Sequence, residues 1–357
     1  MNNNYTLTEL GLNEKIINEF NDNFNKGQHY LGRVSIQYKN LYVVETEQGS
    51  VHGKINGKMF YNAEGKDDFP AVGDWVVLDR NNEANGEAVI QYIITRKSKF
   101  SRKEAGDNFE SQIVAANIDI LFICMSLNNN FNLRRMERYI SVAWDSGAVP
   151  VIVLTKADLC HDYDINVSNV RRSAIGIDVV VTSNVENLGV ENIKSYMKTG
   201  ITAAFIGSSG VGKSTLINNL CGSEMLDTGN IGENDKGRHT TTHREMVVLP
   251  EGGVVIDTPG MRELHVLDNE AGIENSFSDI DELSKKCKFS NCQHETEPGC
   301  AVREAIDKGE ITLERYLNYV KLQKEAEFMK RKLDKREADK YKKHIIKRNK
   351  SIKKIKY

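Results

Sequence analysis

Between Gly32 and Thr95 the chain runs in short segments of alternating apolar and polar residues: Arg33–Gln37, Leu41–Thr46, Val51–Ile55, Val72–Leu78 and Ala88–Thr95. Turn-forming pairs such as Asn56-Gly57 and Gly73-Asp74 separate them, and no helical period intervenes. Five strands at this spacing predict a small antiparallel barrel of the oligonucleotide-binding type, with another small β-barrel as the alternative. Past Lys103 the pattern changes. Ile118–Met125 is a nearly continuous apolar run and Leu133–Trp144 has helical spacing. Further apolar runs follow at Val149–Leu154, Val179–Thr182, Ala203–Ile206 and Val254–Ile256. Buried strands alternating with helices predict an α/β domain whose mostly parallel sheet is covered on both faces. Beyond Asn275 the chain reads as helical and polar, interrupted by a cysteine cluster. The expected organisation is a barrel over 1–98, an α/β domain over 99–268 and a mainly helical, metal-binding domain over 269–357.

Composition changes this picture only in its charge. With 39% hydrophobic and 27% charged residues in 357, the chain can build ordinary globular cores. Its net charge of −2 hides an asymmetry. Lys330–Tyr357 holds 14 lysines and arginines against 3 acidic residues, a local excess of 11, which leaves −13 for the rest. A basic tail on an acidic body points to a polyanion, RNA first, with a solvated helix as the plain alternative. Met1–Leu10 lacks the apolar core of a signal peptide, and the run Ile118–Leu127, broken by Asp119, is far short of a membrane span. Six cysteines in a chain this long are no disulfide scaffold. The expectation is a cytoplasmic, reducing environment with no membrane partner.

Gly207-Ser-Ser-Gly-Val-Gly-Lys213-Ser214 directly follows one apolar run and opens another with helical spacing, Thr215–Leu220. That context marks a phosphate-binding loop, whose glycines let successive amides converge on phosphate oxygens. Lys213 would reach the outer phosphates and Ser214 would ligate Mg²⁺. Asp257-Thr-Pro-Gly260 follows Val254–Ile256, where a carboxylate can hold Mg²⁺ through water. Between them lies Gly237-Arg-His-Thr-Thr-Thr-His243, in which a threonine can complete the Mg²⁺ shell or which is simply a polar surface loop. Thr155-Lys156-Ala157-Asp158 ends the run Val149–Leu154. A carboxylate at Asp158 would accept from guanine N1 and N2, a donor pair that adenine lacks, so GTP is favoured over ATP. Thr182-Ser183-Asn184 follows the next run and would offer an amide to the guanine oxygen. Both segments stand at strand ends, where open α/β sheets bind ligands. Base-reading segments before the phosphate loop invert the usual GTPase order, which implies a circular permutation. The Asp257 loop then leads into the C-terminal region, so that γ-phosphate-dependent ordering of it would reposition that region. Cys287, Cys292, His294 and Cys300 offer three thiolates and an imidazole within 14 residues, a structural zinc set with no position left for a reacting water.

This order of motifs, the cysteine spacing and the segment Phe69-Pro-Ala-Val-Gly-Asp-Trp75 resemble the RsgA family of circularly permuted GTPases, over about Gly32 to Tyr319. The resemblance implies a GTPase that assists late maturation of the small ribosomal subunit, binds its rRNA and is stimulated by the subunit. It also implies that Gly207, Ser208, Ser209, Gly210, Val211, Gly212, Lys213, Ser214 and Thr215 bind phosphates. Thr155, Lys156, Ala157, Asp158 and Ser183 would bind guanine, Thr241 and Asp257 would serve Mg²⁺, and His239 would assist hydrolysis. Met261 stands where many GTPases place a water-orienting glutamine, and Thr155 where the guanine motif usually begins with asparagine. Threonine can still tether the phosphate loop through its hydroxyl. Met261 keeps a second reading open, an RNA-binding assembly scaffold for which GTP is only a conformational ligand. A third is an ATP-dependent enzyme with a zinc module. Nothing in the chain requires more than a monomer.

Overall fold

A computed structural model describes residues 5–24, 27–39, 41–82, 84, 86–103, 111–223, 244–257, 270–328 and 330–331. The chain divides into two compact units, 1–265 and 266–357.

In the first unit, five strands form the barrel: β1 (Tyr30–Gln37), β2 (Tyr42–Thr46), β3 (Gly49–Ile55), β4 (Trp75–Leu78) and β5 (Ala88–Ile93). They pair in the order β1-β2-β3-β5-β4, and a β1–β4 ladder from Tyr30↔Leu78 to Arg33↔Trp75 closes the ring. β3 and β5 run parallel and every other pair is antiparallel. This is the oligonucleotide-binding topology. Val34, Val44, Val51, Val76, Leu78 and Ile90 fill its interior. A bulge between Val34 and Ile36 sharpens the bend of β1. Gly32 lets β2 approach there, since a Cβ on it would stand 2.5 Å from Val44 Cγ1. One expectation fails in this region. A helix, Gly57–Asn62, follows β3, because Asn56 caps it by accepting the Met59 amide at 2.6 Å and so starts a helix instead of a hairpin turn.

A hairpin of β6 (Lys99–Lys103) and β7 (Ser111–Ala116), not foreseen from the sequence, leads into the α/β part. Here β8 (Ile120–Ser126), β9 (Val149–Thr155), β10 (Asp178–Val181), β11 (Thr202–Ile206), β12 (Arg244–Val248) and β13 (Val254–Asp257) pair in the order β10-β9-β8-β11-β13-β12. All neighbours are parallel except the β12–β13 hairpin. The continuous apolar runs follow from burial of both faces. Leu121, Ile123 and Met125 of β8 enter one core while Phe122 and Cys124 enter the other. Helix Leu133–Ser146 covers the first face through Met136, Tyr139 and Ile140. Helix Lys213–Cys221 covers the second through Leu216, Ile217 and Leu220.

Barrel and α/β sheet are continuous, since β12 also pairs with β1 at Ile36↔Glu245 and Gln37↔Arg244. The guanidinium of Arg33, 1% exposed, is buried at this junction. It donates to the carbonyls of Leu10, Gly73 (3.1 Å) and Asn117 (3.4 Å) and to Thr202 Oγ1 (2.9 Å). Burial pulls it down to about 10 while Asp119 and Asp74 oppose, so it remains a cation at neutral pH. In the segment 69–75, Asp74 is fully buried, grips Arg96 through two hydrogen bonds (2.8 and 2.7 Å) and accepts the Ala71 amide (2.8 Å).

The second unit packs helices Glu270–Ser276, Ser278–Ser284, Ala301–Asp307 and 313–328 around Phe277, Ile280, Val302 and Leu322. Arg315 ties two of them, with both carboxylate oxygens of Asp279 at 2.8–2.9 Å and the Phe277 ring 4.7 Å away.

Candidate functional site

Because β10, β9, β8, β11 and β13 are parallel, their C-terminal ends share one edge of the sheet. At that edge β11 delivers the loop Gly207–Gly212, which enters helix Lys213–Cys221. Gly207, Gly210 and Gly212 have φ of +149°, +74° and +99°. A Cβ on Gly207 would stand 2.4 Å from the Cys124 carbonyl of β8, so no other residue fits beneath the loop. Ser208 and Ser209 are half-buried, Gly210 is exposed and Val211 is buried. The Lys213 ammonium donates to the carbonyls of Gly207 (2.8 Å) and Ser208 (3.0 Å), folded along the inside of the loop. Ser214 and Thr215 stand in the first helical turn, where free amides and the helix dipole favour an anion. Cys124 offers no chemistry there, as burial pushes its thiol up to about 12.

Two further strand ends converge on this loop. β9 finishes at Thr155, which is 1% exposed and donates its hydroxyl to the Val211 carbonyl at 2.6 Å. Lys156 then takes a left-handed turn at φ +59°, and Ala157–Leu159 form one short helical turn. This turn presents Asp158. Its Oδ1 accepts the Ser183 hydroxyl at 2.5 Å, and the Ala157 amide donates to Thr182 beyond β10 at 3.1 Å. Reciprocal backbone bonds between Ser183 and Leu188 (3.1 and 2.9 Å) close the loop after β10. Thr155, Asp158, Ser183 and the phosphate loop are thus brought to one rim. Asp257 is the last residue of β13, on the same edge. His239, Thr241 and Met261 lie outside the described residues. Asn219 also bonds to Asn184 (3.0 Å), a contact with no signature in the sequence. Those residues are 35 apart and no local signal pairs them.

The second unit carries the metal-ligating set. One ligand atom from each of Cys287, Cys292, His294 and Cys300 lies within 4.8 Å of all the others. Cys287 Sγ is 4.0 Å from Cys300 Sγ, and His294 Nδ1 is 3.6 and 3.3 Å from those two sulfurs. An ion with Zn–S of about 2.3 Å and Zn–N of about 2.0 Å needs tetrahedron edges of about 3.5–3.8 Å, a range that these three separations of 3.3, 3.6 and 4.0 Å bracket. Nδ1 is the metal-facing nitrogen, because Nε2 engages Ser284 Oγ at 3.2 Å, an outer contact that fixes the ring. Burial lowers the His294 pKa, which favours the neutral, ligating imidazole. Burial raises that of Cys287, but the amides of Ala301 and Val302, together with hydrogen bonds from the Cys292 and Cys300 thiols, lower it on balance and favour the thiolate. Cys300 caps the same helix, accepting the Arg303 amide at 3.4 Å.

Residues 93–267 match the family model described as RsgA GTPase. The Small ribosomal subunit biogenesis GTPase RsgA 2 of Lactiplantibacillus plantarum is 47% identical over 299 residues, 84% of either chain. RsgA 1 of Listeria innocua is 43% identical over 316 residues, 87% of this chain and 89% of its own. Among solved structures, YjeQ from Thermotoga maritima superposes with a TM-score of 0.62 at 26% identity, covering 84% of this chain and 98% of that one. YloQ, described as a circularly permuted GTPase, does so with 0.60 at 25%, covering 85% and 97%. Barrel, permuted α/β sheet, phosphate loop and relatives agree: the chain belongs to the RsgA GTPase family.

Proposed function

We propose that this protein is a GTPase that binds the small ribosomal subunit, assists its late maturation and is stimulated by the subunit to hydrolyse GTP to GDP and phosphate. The observation that carries the reading is the meeting of Asp158 and Ser183 with the Lys213 loop on one sheet edge, in a chain 47% identical to a small-subunit biogenesis GTPase. Gly207 to Thr215 bind the phosphates, with Lys213 turning from the loop carbonyls to the outer phosphate oxygens. Asp158 reads guanine N1 and N2 while Lys156 packs on the base and Ser183 holds the carboxylate in place. Ser214, Thr241 and Asp257 serve Mg²⁺, and His239 orients or activates the attacking water in place of the glutamine that Met261 replaces. Zinc fills the Cys287, Cys292, His294 and Cys300 set as a structural ion, since the chain supplies all four ligands. The barrel and the basic tail meet rRNA, and the protein works as a cytoplasmic monomer.

GTP turnover by the purified protein, alone and with small or large subunits, tests this. Stimulation by small subunits only is expected, and loss of that stimulation in His239→Ala supports the role of the histidine. GTP bound without stimulation would overturn the mechanism and favour a scaffold.

A further inference from the structure

The loop after β10 is tied to the phosphate-binding helix by a side-chain pair that joins the last residue of the Thr182-Ser183-Asn184 segment to a helix residue that no motif marks. Asn219, on helix Lys213–Cys221, donates from Nδ2 to Asn184 Oδ1 at 3.0 Å. Asn184 directly follows Ser183, whose hydroxyl lies on the base-reading carboxylate of Asp158. Its other carboxamide atom, Nδ2, lies 3.8 Å from where a Cβ on Gly212 would stand. The carboxamide therefore spans from the base-reading loop to both the last glycine of the phosphate loop and the helix that follows it. The pairing is polar and directional, with Asn219 as donor and Asn184 as acceptor, and it survives only a flip of both amides together. The loop bearing Asn184 is itself closed by the Ser183–Leu188 bridge. It ends at Gly189, held at φ +75° with its Cα so close to Val181 that a Cβ would stand 2.0 Å from that carbonyl. A loop pinned at its base in this way moves as a unit, and Asn184 links that unit to the phosphate-binding helix.

We propose that Asn184 and Asn219 are positioning residues that set how fast guanine nucleotide leaves. They hold the base-reading loop against the phosphate-binding helix, so that opening either half of the nucleotide site must break their bond. This rests on the reading of the rim as a GTP site. The pair touches neither the γ-phosphate nor the attacking water in that reading, so release changes while chemistry does not. GDP and GTP are affected alike, because the bond joins segments that both nucleotides use.

The test is stopped-flow release of a fluorescent GDP and of a fluorescent non-hydrolysable GTP analogue, chased with unlabelled nucleotide. The proteins are the wild type, Asn184→Ala, Asn219→Ala and the double variant. One exposed neutral hydrogen bond predicts that each single variant releases both nucleotides about threefold to tenfold faster. The double variant should be no faster than the faster single, since both remove the same bond. Single-turnover hydrolysis at saturation should be unchanged. Asn184→Asp keeps the carbonyl-type acceptor for the Asn219 amide and should return release to within about twofold of the wild type. Release rates unchanged in both single variants, or effects that multiply in the double, would overturn the proposal even if melting temperatures fall. A wild type that binds no guanine nucleotide would instead sink the reading of the site itself.

Discussion

Replacing Thr155 with valine isolates the bond that joins base reading to phosphate binding. Valine preserves the volume and β-branching of a side chain that is 1% exposed at the end of β9, so the strand end keeps its packing. What disappears is the hydroxyl that donates to the Val211 carbonyl at 2.6 Å. A buried acceptor left without its donor costs about 1–3 kcal/mol. Val211 stands between two left-handed glycines, Gly210 at φ +74° and Gly212 at φ +99°, so the loop can relax once the tether is gone. Nucleotide binding must then restore the loop, and the penalty falls on affinity. At about 1.4 kcal/mol per tenfold, GDP and GTP should each bind roughly 5- to 150-fold more weakly. Titration of fluorescent GDP and GTP measures this, with thermal melting of the nucleotide-free protein as the companion readout. A penalty that falls on the free protein lowers its melting temperature, and one that falls on the complex raises both dissociation constants. Dissociation constants within twofold of the wild type, at an unchanged melting temperature, would refute the reasoning.

Other consequences can be measured directly. Asp158→Asn places an amide donor against the donors of guanine, so GTP affinity should fall at least about tenfold. Xanthine, which carries an acceptor where guanine has its amino group, should gain, as competition against labelled GDP would reveal. Cys292→Ser removes one of four ligands from a set whose atoms lie within 4.8 Å of one another. Zinc content by mass spectrometry should fall well below one per chain, and the 266–357 unit should become protease-sensitive, because structural zinc contributes about 10–16 kcal/mol to the folding of such modules. Arg33→Met leaves the Leu10, Gly73 and Asn117 carbonyls and the Thr202 hydroxyl without a shared donor in a buried junction. A loss of about 3 kcal/mol or more is expected, roughly 6–12 °C in Tm by calorimetry.

The parts of the molecule that could be read from the sequence are those in which one residue's burial decides its type. β8, β9 and β11 are apolar without alternation because both of their faces are covered, and their runs mark them within a residue or two. The phosphate loop was legible for the same local reason, since only glycine fits where Gly207 backs onto the Cys124 carbonyl. Pairing is a different kind of information. The short, half-polar β12 shows no pattern of its own, yet it joins barrel to sheet through β1, with Glu245 paired to Ile36, which stands 209 positions earlier in the chain. Asn56-Gly57 has the composition of a hairpin turn, and only the extended backbone of Asn56 and its bond to Met59 reveal a helix cap. The candidate site divides along the same line. Asp158 and Lys213 announce their chemistry by residue type and neighbours, whereas the partners of Thr155 and Asn184 lie 56 and 35 positions away. What a departure such as Thr155 means therefore depends on a contact that one-dimensional pattern does not carry. With its hydroxyl on Val211, threonine in the asparagine position keeps a tether to the phosphate loop while Asp158 keeps the base, so the two tasks of that motif are separable by mutation.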